Sequence, residues 1–266
     1  MLKDLNREDW LAALGLSPDQ IPAMLVLRGT RNLRRHFAAH AALFEDVVEV
    51  GSPNALFEDV LVGRYGGVPV GYASVYGPAM ASEIAHVFGA LGTPVLVQTG
   101  VCGALGDHVG AGDLVVATAA GCGDGAAACY LPGQAVVEAT PALVDRLTAR
   151  PSPVPRHVGP VWTTAALLAE GRAEVDAWHD AGYIAVDMET ASAFAVAEHF
   201  GMARAAILSA YDNPRRGEHL LLDEAHKSAA RAAGEAAALA AVLALVADQP
   251  CLPVASQAPV ATAARP

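Results

Sequence analysis

Two carboxylates, Glu189 and Asp212, are the first residues whose type and spacing could do chemistry. Each follows an apolar run with the character of a buried strand: "YIAVD" before Met188-Glu189, and "ARAAILSAY" before Asp212. One alanine-rich helical segment separates them. If the crossover is the right-handed kind usual between parallel strands, both acids reach the same sheet edge. One could then bind hydroxyl groups while the other passes a proton. Each also has a plainer explanation. An acid in the first turn of a helix suits the helix dipole, and Asp-Asn-Pro after a strand is a common turn.

Two further stretches could carry chemistry. In "VQTGVCGALGDHVGAGDLVV" (97–116), Gly100 and Gly103 permit a tight turn whose backbone N–H groups can face a ligand. A plain strand-to-loop turn would use the same residues. In "RGTRNLRRHF" (28–37), Arg28, Arg31, Arg34, Arg35 and His36 crowd one glycine-containing loop and the start of a helix. Arginine forks and helix N-terminal amides suit an anion such as phosphate. A basic helix face that is merely solvated would read the same way.

The elements that must position these groups follow from hydrophobic patterning. "AMLVL", "PVLVQTG", "DLVVATAA", "HVGPVWTT", "YIAVD" and "ARAAILSAYD" are short apolar runs that predict strands. "VLVGRYGGVPVGYASVYG" alternates as a hairpin about Gly66-Gly67. Helices are predicted after the basic loop and over 79–92, 140–150, the segment after Met188, and 223–247. Near-continuous apolar strands alternating with helices imply an α/β fold: a single domain with a mainly parallel mixed central sheet flanked by helices. Residues 1–248 form that domain. Residues 249–266 have turn-forming composition and no periodicity, and read as a flexible C-terminal tail. In such sheets ligands bind at the carboxyl ends of strands. The loops in that position are Gly29–Arg35, Thr99–Gly103, Gly121–Gly125, Thr163–Leu168, Asp187–Glu189 and Asp212–Arg216.

Composition removes other classes. The chain has 266 residues, 53% of them hydrophobic, enough for one large core. It carries 17 Lys and Arg against 28 Asp and Glu, so a nucleic-acid surface is not expected. Cys102, Cys122, Cys129 and Cys251 have neither metal-ligand rhythm nor a disulfide framework, and buried thiols in a reducing compartment are the simplest reading. The charged start "MLKDLNREDW" has no apolar signal segment. No uninterrupted apolar run suggests a membrane span. A soluble cytoplasmic protein without metal or cofactor is expected, with no nucleic-acid or membrane partner.

Taken in order, these segments resemble the nucleoside phosphorylase and nucleosidase superfamily, which contains purine nucleoside phosphorylase, uridine phosphorylase and methylthioadenosine nucleosidase. "AVDMETASAFAVAEHFGMARAAILSAYD" looks like that family's strand, Met-Glu helix and following strand ending in Asp. "TGVCGALGDHVGAGDLVV" looks like its central glycine motif, and "DGAAACYLP" (124–132) is similar to a stretch of uridine phosphorylases. The likeness runs over roughly 20–245.

The resemblance implies a residue-by-residue assignment. Glu189 matches the carboxylate that binds ribose hydroxyls, and Met188 the residue packed on the sugar. Asp212 matches the acid that serves N7 of the base in purine-cleaving members, which favours a purine-like base. Gly29 and Arg34 match the phosphate loop, but the loop is one residue longer than usual, so Arg31 or Arg35 could take that role. Asp187, Thr99 and Gly100 are expected in the substrate site. Leu167 or Leu168 stands where an aromatic stacks on the base, with Trp162 a substitute. The family also implies a homo-oligomer.

There are departures. Gln98 stands where phosphorylases carry a phosphate-binding Arg, Val101 where a Ser or Thr donates, and Tyr76 where a glycine is usual. No arginine near Asn54–Phe57 matches the one that phosphorylases lend across the subunit interface. Phosphorolysis by inorganic phosphate is favoured, because a basic loop has an anion to bind. A hydrolytic nucleosidase and a nucleoside-binding protein without catalysis are the alternatives.

Overall fold

The structure is a computed structural model and describes residues 1–50, 57–222 and 225–248. The first half of the chain contains α1 (Arg7–Leu14), β1 (Met24–Gly29), α2 (Leu33–Ala41), β2 (Glu45–Glu49), β3 (Val60–Tyr65), β4 (Val68–Val75), α3 (Pro78–Leu91), β5 (Val95–Ala104) and β6 (Leu114–Gly123). The second half contains α4 (Ala126–Tyr130), β7 (Val136–Glu138), α5 (Pro141–Ala149), β8 (Arg156–Thr164), α6 (Arg172–Asp180), β9 (Ala185–Asp187), α7 (Thr190–His199), β10 (Ala203–Asp212) and α8 (Ser228–Ala247). The expected tail at 249–266 lies outside the described residues.

The local signals act as sequence chemistry dictates. Gly66 and Gly67 both take positive φ and close the β3–β4 hairpin. Helix α3 starts with Pro78 in its first position and stops at Gly92, whose left-handed φ of 94° lets its N–H bond back to Phe88 and Gly89. Strand β1 is apolar on both faces: Leu25 and Leu27 join the core under α3 and α7, whereas Met24 and Val26 join the core under α2, α5 and α8. Helix α8, with the turn before it, is long and apolar enough to cross a membrane by length and composition. In this fold its Ala237, Ala238, Val242, Leu245 and Val246 stripe is packed into that second core.

The sheet is mixed, and it closes. Strand β5 pairs with β10, β10 with β6, β6 with β8, β8 with β9, and β9 again with β5. Strands β1, β4, β3 and β2 extend the sheet from the other edge of β5. Helix α7 touches β5, β6, β7, β8 and β10 of this curled group, and every residue from Thr190 to Ala197 is buried. That is why the Met-Glu segment is alanine-rich rather than amphipathic: a helix covered on all sides has no polar face.

The expected reason for bringing Glu189 and Asp212 together needs correction. Strand β9 runs antiparallel to β5 and β10 runs parallel to it, so no parallel crossover joins the two acids. They meet because β9 and β10 flank the same end of β5. Gly103 pairs with Val186 on one side and with Asp212, just past a bulge, on the other.

A close backbone approach lies three residues earlier in β5. Gly100 has φ 144°, and a Cβ there would sit 2.4 Å from the Gly29 carbonyl oxygen. Both atoms belong to buried backbone that cannot yield. Gly100→Ala is therefore expected to lower unfolding free energy by at least about 2 kcal/mol in denaturant melts. Gly110→Ala, where a Cβ meets only Asp113 at 3.6 Å, should cost less than about 1 kcal/mol. Equal losses would show that the β1–β5 approach is not a constraint.

Candidate functional site

A cleft of about 790 Å³ opens where the carboxyl ends of β1, β5, β9 and β10 converge. It is lined by Gly29 and Arg31 from the first loop, Val101 to Gly103 from β5, Leu167 to Glu170 after β8, Asp187 to Glu189 after β9, and Tyr211 and Asp212 at the end of β10. Four of the six strand-end loops contribute as expected, and the Thr163–Leu168 loop does so through Leu167 and Leu168. The Gly121–Gly125 loop does not line the cleft. The Trp162 ring covers Gly121 and Gly123, where a Cβ would stand 2.4 and 2.6 Å from it.

Glu189 sits at the floor of the cleft. It caps α7 through its backbone, while its side chain serves a different helix: the N–H of Gly77, the residue before α3, donates to Glu189 Oε1 at 2.8 Å. The other carboxylate oxygen lies against Gly29, where a Cβ would come within 2.4 Å of it. Only glycine at position 29 leaves room for this carboxylate. Burial, and then the charge of Asp187, push Glu189 up to about 8, against the Gly77 amide and the nearby Arg31 charge.

Asp187 lines the cleft, but its oxygens are already engaged. Thr163 Oγ1 donates to Oδ1 at 2.7 Å, and the Thr190 backbone and hydroxyl donate to Oδ2. Burial raises its pKa and these bonds oppose the rise. Its place is to tie β8, β9 and the start of α7 together beneath Met188 and Glu189. Asp212 is buried at the opposite wall, facing Gly103. The turn behind it is anchored by Asn213, whose side-chain amide donates to the Gly106 and Val109 carbonyls.

The arginine cluster divides. Arg31 lines the cleft, stacked over the Tyr76 ring at 5.0 Å. Tyr76, the residue found where a glycine is usual, therefore gives this guanidinium a seat beside Glu189. Arg28 is buried and paired with Glu235 of α8 at 2.5 Å. Arg34 turns away and is held by Asp59 and Glu49. Arg35 is exposed and lines no part of the cleft. The expected set of Gly29, Arg31, Arg34 and Arg35 thus reduces to Gly29 and Arg31.

Other assignments also shift. Gln98 is fully buried behind Gly29, with its side-chain amide donating to the Thr99 carbonyl. Thr99 and Gly100 are buried beneath the floor rather than in it. Trp162 stacks with Trp178 and meets Tyr183 edge-on, behind Val175 and Val186 of the cleft wall. The apolar lining includes Val101, Leu167, Leu168, Val175, Val186 and Met188. Among the described residues the three cysteines are free, and Cys129 is exposed rather than buried. No group of three or more His, Cys, Asp or Glu that could hold a metal occurs among the described residues.

Sequence reasoning missed Glu170 and the 217–221 loop, which also line the cleft. Glu170 lies two residues beyond the strand-end loop as drawn, after an Ala-Leu-Leu-Ala run that reads as apolar. Burial, and then the charge of Asp212, push it up to about 7.

Comparison with known proteins gives the family. A guanosine phosphorylase of Halorubrum lacusprofundi is 33% identical over 127 residues, which is 46% of this chain and 52% of that protein. The matched stretch thus spans about half of that relative's length. Two structures of uridine phosphorylase from Vibrio fischeri superpose with TM-scores of 0.72 and 0.71 at 21% identity, covering 90% and 86% of this chain and 95% and 93% of theirs. That likeness is one of fold. Residues 25–247, nearly the whole described chain, match the phosphorylase superfamily, and the chain belongs to that family.

Proposed function

We propose that this protein cleaves the N-glycosidic bond of a purine nucleoside by phosphorolysis, releasing the free base and a sugar 1-phosphate. The observation that carries the reading is the meeting of Glu189, Asp212 and Arg31 in one cleft. Similarity to a guanosine phosphorylase over part of the chain supports a purine base.

The chemistry follows from where charge develops. As the bond from C1′ to the base breaks, its electron pair leaves with the base and positive charge builds on the sugar. Glu189 accepts hydrogen bonds from the sugar hydroxyls and fixes the ring beside that charge. Met188 packs on the sugar, and Leu167 and Leu168 flank the base. Asp212 gives a proton to N7, which neutralises the departing base. A phosphate oxygen, held by Arg31 near Gly29, forms the new bond to C1′. The phosphate loses its hydrogen in becoming the ester, which replaces the proton given to the base. Alignment and charge compensation of this kind supply most of the acceleration in such displacements.

Hydrolysis is the second reading, and one observation favours it. Arg34 and Arg35 lie outside the cleft, Gln98 is neutral, and Arg28, which also lines the cleft, is paired with Glu235, so of this arginine cluster the anion site draws on Arg31. The two readings separate in a single assay. Base release from purine nucleosides should require added phosphate, and Arg31→Ala should raise the phosphate KM by at least about tenfold, as losing a charge-assisted contact would. Arg34→Ala should leave that KM within about twofold. Equal turnover in phosphate-free buffer would replace phosphorolysis with hydrolysis.

Asp212→Asn is expected to lower kcat by at least about tenfold, within the usual range for a lost general acid. An unchanged kcat would remove Asp212 from proton transfer.

Glu189 makes a prediction about stability. Its pKa in the folded protein is about 8, against an ordinary value of 4.5. Between those values the unfolded chain has lost this proton and the folded chain keeps it. The group therefore lowers stability progressively as pH rises through that window. Glu189→Gln keeps an acceptor for Gly77 and removes the titration. Its Tm should exceed that of the unmodified protein by more at pH 9 than at pH 5, although its nucleoside turnover falls. A Tm difference independent of pH would contradict the assignment.

A further inference from the structure

Strand β1 has two faces, and the proposed phosphorolysis uses only one of them. On the face under α3 and α7, Gly29 makes room for Glu189. The other face, under α2 and α8, is apolar at Met24 and Val26 and turns polar at Arg28. The register sets Arg28 between Ser74 of β4 and Thr99 of β5. Both are buried, and both continue the face on which Tyr72 and Val97 pack into the same core. Helix α2 adds His36 and His40, the latter stacked on the Tyr72 ring at 5.0 Å, and α8 adds Glu235.

This polar row is only partly satisfied. Glu235 accepts from one terminal nitrogen of Arg28 at 2.5 Å. Arg28 Nε, Thr99 Oγ1 and His40 Nε2 are buried without a hydrogen-bond partner among the described residues. Arg28 and Thr99 are 3% and 2% exposed, so bulk water does not reach them. A buried donor without an acceptor is one that a ligand can satisfy. The row is also not sealed. Arg28, His36 and Glu235 all line the cleft, and the Glu235 side chain is 32% exposed. A ligand in the cleft reaches Arg28 by displacing Glu235.

The donors are those an anion needs. A guanidinium presents several N–H groups in a fixed fork, and Glu235 is itself an anion seated on that fork. Burial, and then the Arg28 charge, lower the pKa of His36, so its ring is neutral and offers one N–H at neutral pH. A fork, a hydroxyl and an imidazole suit the three oxygens of a phosphate group better than the two of a carboxylate. The charges on the two faces form separate groups. Glu189 is influenced by Asp187 and Arg31, whereas His36 is influenced by Arg28, Glu235 and Arg35.

We propose that Arg28, Thr99 and His36 form a second anion subsite, on the face of β1 away from Glu189, which binds a phosphate group in exchange for the Glu235 carboxylate. It is distinct from the anion position at Arg31, and it requires no bond cleavage. The phosphate group is either free or carried on the sugar of a nucleoside 5′-phosphate lying in the cleft. In both cases Glu235 is an internal competitor. It lowers the apparent affinity because only chains in which Arg28 is released are competent to bind.

The probes are inorganic phosphate and inosine 5′-monophosphate, with inosine as the reference. They are titrated by calorimetry into Arg31→Ala, which removes the cation of the other anion position. Glu235→Gln added to that background should tighten binding of inorganic phosphate, of the nucleotide, or of both by about tenfold or more, and should change that of inosine by less than about twofold. A gain for inorganic phosphate assigns the subsite to the free ion. A gain for the nucleotide alone assigns it to a phosphate on the sugar. Adding Arg28→Gln should abolish either gain. That variant replaces an ion pair by a neutral pair, and a cooperative thermal transition reports that it is folded. A gain cannot arise from unfolding, so Glu235→Gln keeps the test decisive even where the Arg28 variant is unstable. No gain for either phosphate probe, or a gain that survives Arg28→Gln, would overturn the proposal. The readout is binding rather than base release, so either result leaves phosphorolysis to its own assay.

Discussion

The cleft depends on one buried carboxylate. Placing an ion out of water costs several kcal/mol even after relaxation, on the order seen for charges inside proteins. Glu189 is placed there all the same, held by the Gly77 N–H, and burial raises its pKa to about 8, so the cost is met by keeping the proton. Two backbone features make the placement possible. Gly29 leaves the volume that the carboxylate occupies, and Gly100 lets β5 approach β1 beneath it. Gly77 caps the start of helix α3, so the helix's positive end faces the same carboxylate. The glycines, the start of α3 and the buried helix α7 all serve this one side chain.

The second constraint is the closure of the sheet. Strand β9 is only three residues long, yet it joins β8 to the far end of β5. It sets Glu189 across Gly103 from Asp212. Asp187, at the end of β9, fixes the angle at which α7 leaves by engaging Thr163 and Thr190. The Asp-Met-Glu sequence therefore divides its labour: the first acid builds the corner, and the second is presented to the cleft.

Much of this was legible in the sequence, and the limits have physical causes. Strands with two apolar faces, the Gly-Gly hairpin and the glycine that ends α3 are local signals, and each element formed where its residues predicted. The ring of strands was not legible, because the pairing of β9 with the end of β5 joins residues some eighty positions apart and leaves no period in either. Side-chain direction was the other loss. Trp162 reads as a stacking group by type, but its alternation along β8 turns it toward Trp178 and Tyr183. Arg34 reads as an anion ligand, but Asp59 and Glu49, distant in sequence, hold it outside. Arg31 could be selected only once Tyr76 was seen beneath it. Glu170 was hidden because an apolar run preceding a lone acid carries no pattern.

The thin basic lining and the high pKa of Glu189 fit together. A phosphate dianion beside an ionised carboxylate would be repelled, and several cations would be needed to hold both. Glu189, with a pKa near 8, is largely protonated at neutral pH in the empty cleft. A neutral Glu189 would not oppose the arrival of an anion, so in the proposed phosphorolysis Arg31, seated on Tyr76, would meet little opposing charge there. In the proposed phosphorolysis, sugar hydroxyls donating to Glu189 would favour its charged form, and the positive charge developing on the sugar would lie between that carboxylate and the phosphate. The charge that would have repelled the nucleophile during binding then appears where it stabilises bond breaking.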